Sequence, residues 1–276
     1  MTLPINPALD TLYNNRVAVP EHGEIFARWR TQSAATRANF GGEFNLAYGS
    51  HALQTLDIFP AKQNRGLVIF IHGGYWRSLD KDDFSFYAEP YLAQGISVAS
   101  INYRLCPEVK IDAIVEDCRA AVEWLAANVS RYNIRFDRNV LIGHSAGAHL
   151  VAMLSATDWA ARNIDPASFR GGVLMSGLYD LSPILETSVN EDVQLDHNAA
   201  KALSPIHLKP TLNMPLDVWV GGAETAEFIR QSQLLPPAWP ENCTPLELIR
   251  NANHFTIVDE CAQPDSACFK RSLRFF

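Results

Sequence analysis

From residue 66 onward, short and almost unbroken apolar runs alternate with longer amphipathic stretches. The runs predict strands at 66–71, 97–103, 140–142, 172–175, 216–220 and 246–249. Apolar runs without polar alternation are strands buried on both faces, and helical-period stretches between them are crossovers of a parallel sheet. Helices are predicted over 84–94, 111–128 and 224–235; in the second, Ile114, Val115, Cys118, Val122 and Leu125 share one face. Before this region the pattern differs. Residues 44–48 and 54–59 read as strands joined near Gly49-Ser50, an antiparallel entry hairpin. Residues 1–41 read as helical in two pieces. Asn6 caps a short helix with Pro7 in its first position, and 24–39 forms a second, with Ile25, Phe26 and Trp29 at helical spacing. The fold class implied is α/β: a mainly parallel twisted sheet with helices on both faces and an N-terminal helical cap segment.

Bulk properties narrow the partners more than the fold. The 276 residues suit one large domain over 1–276. Apolar residues make up 47% and charged ones 19%, enough core to exclude a disordered chain. A net charge of −7 without a basic block disfavours nucleic acid and anionic membrane surfaces. No apolar run has the length of a membrane span, and the first residues lack the basic and apolar regions of a signal peptide. The 5 scattered cysteines show no paired spacing, so reduced thiols in a cytoplasmic protein are expected. A homodimer is compatible with the sequence.

Candidate chemistry gathers at the carboxyl ends of the predicted strands, where ligands bind in open α/β sheets. Gly143-His144-Ser145-Ala146-Gly147 follows the strand at 140–142 and precedes a small, apolar, helical run. A G-x-S-x-G between strand and helix is a nucleophile elbow, which makes Ser145 the expected nucleophile of a serine hydrolase. After the strand at 66–71 comes His72-Gly73-Gly74-Tyr75-Trp76. By itself this would read as a Gly-Gly turn. Beside an elbow it reads as an oxyanion loop, with Gly73 or Gly74 giving one N–H donor and Ala146 another. The base must follow the serine and the acid in the chain, which selects His254 in Asn253-His254-Phe255. Glu224, in the loop after the strand at 216–220, is the favoured acid; Asp180, after the preceding strand, is its competitor, and Asp217 lies at the wrong strand end. Tyr75, Trp76, Tyr179 and Phe255 adjoin these motifs as candidate pocket walls, although core packing serves equally for Trp76. The helices within 1–41, including Tyr13 and Phe26, are expected to cover the site and limit acyl size. No metal-ligand spacing, dinucleotide fingerprint or phosphate loop occurs, so no cofactor or metal is expected.

These motifs together resemble the α/β-hydrolase superfamily and, within it, the kynurenine formamidase-like esterases. The resemblance also covers Leu12-Tyr13-Asn14-Asn15-Arg16, Ser176-Gly177-Leu178-Tyr179-Asp180-Leu181 and the segment from Glu224 to Ser232, and so spans nearly the whole chain. Related lipase-like chains have a third glycine where Tyr75 stands, and usually Asp where His144 stands. One departure concerns the acid, which is usually Asp in the family and is Glu224 here. The resemblance implies a cofactor-independent hydrolase of small carboxylic esters working through Ser145, His254 and Glu224. The alternative is an arylformamidase acting on N-formylkynurenine or a related formamide. A catalytically dead binding module and a peptidase are the remaining readings. The intact Ser, His and acid argue against the first, and nothing supplies a peptide-binding domain for the second.

Overall fold

The computed structural model describes residues 3–276. Met1 and Thr2, which open the segment read as helical, lie outside the described residues. Three helices come first: α1 (Pro7–Tyr13), α2 (Asn15–Ala18) and α3 (His22–Phe40). Asn6 caps α1, its side chain accepting from the Leu9 N–H, with Pro7 in the first turn. The strands are β1 (Glu43–Ala47), β2 (Thr55–Phe59), β3 (Leu67–Ile71), β4 (Ser97–Ile101), β5 (Asn139–His144), β6 (Phe169–Met175), β7 (Leu216–Gly221) and β8 (Glu247–Ile249). The later helices are α4 (Ala88–Ala93), α5 (Ile111–Asn128), α6 (Ala146–Ser155), α7 (Asn190–Val193), α8 (His197–Ala202), α9 (Ala226–Ala238), α10 (Thr256–Ala262) and α11 (Ala267–Ser272).

All eight strands join one sheet in the order β1-β2-β4-β3-β5-β6-β7-β8. The β1/β2 and β2/β4 pairs are antiparallel, and every other pair is parallel. Alternation along each strand divides the core in two. Leu67, Ile69 and Ile71 of β3 face a layer with Ile114 and Cys118 of α5 and Leu150 of α6. Val68 and Phe70 face the opposite layer, with Trp29 of α3, Tyr91 of α4 and Phe269 of α11. Each fully buried Leu, Ile, Val or Phe side chain contributes about 1.5–3 kcal/mol, so the central strands dominate stability. No helix among the described residues is long and apolar enough to cross a membrane.

The stretch 84–94 departs from its expected single helix. Lys81–Tyr87 winds as a tighter 3-10 segment before α4 begins. Asp80 and Asp83 close a capping box there, and the buried Lys81 ammonium is drawn inward to Asn45 Oδ1 at 2.8 Å and Asp82 Oδ1 at 2.7 Å. Side-chain anchoring, invisible to periodicity, sets the winding. Helix α9 starts two residues later than expected and carries Pro236 and Pro237 in its last turn, where the helix ends at Ala238.

Candidate active site

Strand β5 ends at His144, helix α6 starts at Ala146, and Ser145 between them sits at φ 55°, ψ −118°. That conformation costs a non-glycine residue on the order of 1–3 kcal/mol. The turn closes because Gly147 comes so near β3 that a Cβ there would lie 2.0 Å from the Ile71 oxygen. The Ser145 N–H donates to the Met175 oxygen at 2.8 Å, which ties the elbow to β6.

His254 Nε2 lies 3.0 Å from Ser145 Oγ, and its Nδ1 lies 2.7 Å from Glu224 Oε2. Ser145 and His254 are buried, and the Glu224 side chain is 0% exposed. In such a dry setting hydrogen bonds to a carboxylate are strong. The second oxygen, Oε1, accepts from the Gly221 N–H at 2.7 Å and the Ser176 hydroxyl at 2.5 Å. The carboxylate therefore has a donor on each side. Asp180 instead accepts from the Ser182 N–H, and Asp217 pairs with Arg271. Between the two candidate acids, the geometry brings Glu224 to His254.

Two further residues hold this arrangement: Ser176, to which sequence reasoning gave no role, and His144, which it read as structural. Ser176 directly follows β6 and reaches the carboxylate across the sheet ends. Its sequence signal is its place at the head of the Ser176–Leu181 segment that carries the family resemblance. His144 donates from Nε2 to the His254 carbonyl at 2.7 Å, while its Nδ1 has no partner among the described residues. Burial, reinforced by the neighbouring His254, holds its pKa well below the ordinary histidine value against the backbone bond to His254. It is neutral, and it fixes the base from behind.

The loop 72–76, expected to hold the oxyanion donors, is anchored by buried side chains. A Cβ on Gly73 would come within 3.1 Å of Ser145 Cβ, so only glycine allows the loop this close. Neither the Gly73 nor the Gly74 N–H donates to any group among the described residues. Ala146 opens α6, where a first-turn N–H has no intrahelical acceptor. Gly74 lines the same cavity as Ser145, and Ala146 is the next residue in the chain. His72 stacks on Tyr103 at 4.4 Å, and its Nε2 pairs with Asn102 Oδ1 at 3.1 Å. Burial lowers its pKa also.

A cavity of about 400 Å³ opens over Ser145 and His254. Tyr75 and Phe255 line it as expected of pocket walls. Trp76 and Tyr179 do not: both are fully buried in the core. Trp76 donates from its indole to His149 Nδ1 at 3.3 Å and so pins the oxyanion loop from below, whereas Tyr179 packs beside Gly177. Aromatic residues next to a motif give no sign of which face they take. The cap contributes Tyr13, Asn15, Arg16 and Phe26 to the cavity wall. Tyr75 donates its hydroxyl to the Tyr13 carbonyl at 2.5 Å, and Thr225 donates to the Leu12 carbonyl at 2.7 Å. Opposite the cap, Arg77 and Asp192 pair with each other. No cluster of candidate metal ligands occurs among the described residues.

The family model BD-FAE matches residues 56–181. Kynurenine formamidase of Salmo salar is 33% identical over 80% of this chain and 77% of its own length. Kynurenine formamidase of Danio rerio is 32% identical over 83% of this chain and 80% of its own. A crystal structure from Silicibacter sp. TM1040, provisionally called a thioesterase, superposes with a TM-score of 0.83 at 34% identity, covering 94% of this chain and 96% of that one.

Proposed function

The chain belongs to the kynurenine formamidase-like family of α/β-hydrolases, and from that premise we propose a serine hydrolase that cleaves small acyl groups from carboxylic esters. The hydrolase class itself, esterase or formamidase, follows from the family. The finer reading rests on one observation: Ser145 Oγ, His254 and Glu224 stand in one buried hydrogen-bonded chain at 3.0 and 2.7 Å.

In this reading His254 takes the hydroxyl proton as Ser145 Oγ attacks the acyl carbon. The acyl carbon becomes tetrahedral as its C=O π bond opens, and the oxygen takes the negative charge, facing the amides of Gly73, Gly74 and Ala146. Each well-aimed donor of this kind is worth about 3 kcal/mol in the transition state. Glu224 fixes the imidazole with Nε2 toward the serine and stabilises the imidazolium. His254 then gives the proton to the leaving alcohol, and the acyl group stays on Ser145. Water, deprotonated by His254 in turn, releases the acid and restores the serine.

A second reading, hydrolysis of a formamide such as N-formylkynurenine, uses the same steps with an amine leaving. The relatives' names support it, and so does the cavity wall. Arg16 borders the cavity with no carboxylate partner among the described residues, a place for an anionic group on the substrate. Side-by-side kcat/KM values on p-nitrophenyl acetate and N-formylkynurenine decide between the two. Ser145→Ala abolishes both activities if the mechanism holds, and near-wild-type turnover by that variant overturns it.

A further inference from the structure

One cavity residue has a buried carboxamide that nothing among the described residues answers. Asn15 opens α2, lines the cavity and is 5% exposed. Neither its Oδ1 nor its Nδ2 has a hydrogen-bond partner among the described residues. The local capping role belongs to its neighbour: Asn14 accepts from the Val17 N–H at 3.2 Å. A buried carboxamide with both ends unpaired is rare in folded proteins and calls for a partner that arrives later. Asn139 is also unpaired at both ends, but it lies in β5 away from the cavity. Asn15 alone combines this state with a place in the substrate's space.

We propose that Asn15 is a substrate-binding residue whose carboxamide selects amide-type substrates, which offer an N–H donor together with a carbonyl or carboxylate acceptor, over simple esters. Nδ2 can only donate and Oδ1 can only accept. A simple ester brings acceptors alone, so it satisfies Nδ2 and leaves Oδ1 buried and empty. An amide brings the missing N–H. A site built to hydrogen-bond a substrate N–H rejects the analogue lacking it, because the site's own polar atom stays unpaired. The cap bonds made by Tyr75 and Thr225 hold this wall in place before substrate arrives. Pre-organisation of this kind lowers the entropic cost of binding. The inference rests on placing the chemistry at Ser145, and it leans toward the formamide reading of that same site.

The test compares Asn15→Leu with wild type on N-formylkynurenine and on phenyl acetate. The expected result is that the ratio of the two kcat/KM values, amide over ester, falls about tenfold, through KM on the amide. The Tm of Asn15→Leu should equal or exceed that of wild type, since the carboxamide stabilises nothing in the empty protein. A ratio within twofold of wild type, or a lowered Tm with parallel losses on both substrates, overturns the proposal. If the leucine variant does not fold, Asn15→Ala carries the same comparison with less bulk. Calorimetric binding of N-formylkynurenine to Ser145→Ala, with and without Asn15→Leu, separates this proposal from the catalytic one. Binding weakened about tenfold by Asn15→Leu supports the role of Asn15 even if wild type turns over no formamide. Unweakened binding refutes it even if wild type does.

Discussion

Replacing Glu224 by aspartate shortens the acid by one carbon–carbon bond, about 1.5 Å. In the structure Glu224 Oε1 is held by the Gly221 N–H at 2.7 Å and the Ser176 hydroxyl at 2.5 Å, while Oε2 meets His254 Nδ1 at 2.7 Å. If the shorter carboxylate stays with its two donors, the gap to Nδ1 opens to roughly 4 Å, beyond hydrogen-bond reach. If it follows His254 instead, two buried donors lose their acceptor, at about 1–3 kcal/mol each. Staying with the two donors breaks one hydrogen bond where following His254 breaks two, so the first outcome prevails, and it removes on the order of 3 kcal/mol of transition-state stabilisation, or about a hundredfold in kcat. KM should hold, because Glu224 does not line the cavity. Steady-state hydrolysis of p-nitrophenyl acetate, alongside a melting curve, measures both quantities. Glu224→Gln keeps the length and loses the charge, and it should fall further, by about three to four decades, as other Ser-His-acid enzymes do. A folded Glu224→Asp enzyme within threefold of wild-type kcat would refute the reasoning that the carboxylate's length matters at this site.

Three further outcomes follow from the same structure. Ser176→Ala removes one hydrogen bond to a buried carboxylate, worth about 1.5–3 kcal/mol, and should lower kcat at least tenfold with KM steady; an unaltered kcat would show that Gly221 and His254 suffice to hold Glu224. Burial lowers the His149 pKa from the ordinary 6.5 to about 4, against its bond to the Leu203 carbonyl, and His72 and His144 are lowered in the same direction. The unfolded chain therefore binds more protons between about pH 6.5 and 4, so stability is full above this window and declines as pH falls through it, by about 3 kcal/mol for His149 alone. Urea titrations across the window should show a shallower decline for His149→Gln, and an identical slope would rule out His149 as a source. Deleting residues 1–20 removes Tyr13, Asn15 and Arg16 from the cavity wall and should extend p-nitrophenyl ester preference to longer acyl chains; a folded deletion variant with the parent profile would mean the cap does not limit acyl size.

Local features were legible in the sequence where they depend on neighbours in the chain. The elbow at Ser145 announces itself because strand, turn and helix are contiguous. Asn6 and Pro7 mark the start of α1 for the same reason. His254 and Glu224 could be reached because chain order in this architecture limits the choices. What stayed hidden depends on encounters across the fold. Ser176 meets Glu224 over 48 residues, and His144 meets the His254 carbonyl over 110. The facing of Trp76 and Tyr179 is decided by which side of a loop meets the core, and neither residue type nor spacing encodes that. Short helices such as α2, α7 and α8 span too few residues to show a period, so apolar patterning could not find them. Asn15 looked like one polar residue among several, because only the folded chain reveals that nothing answers it.

The hydrogen bond from Tyr75 to the Tyr13 carbonyl joins two parts that serve different ends. Tyr13 belongs to the cap that bounds the cavity, and Tyr75 belongs to the loop that carries the Gly73 and Gly74 amides. The cap is also fastened beside the acid, through Thr225, the residue after Glu224. On the proposed mechanism, breadth of substrate and speed of turnover are thus not separate dials on this scaffold. A lineage that remodels the cap to admit a new acyl group disturbs the oxyanion amides in the same step, and must retune them before the new activity becomes fast. Exchange of caps between relatives should accordingly yield slow generalists first, with speed recovered by later changes around Tyr75.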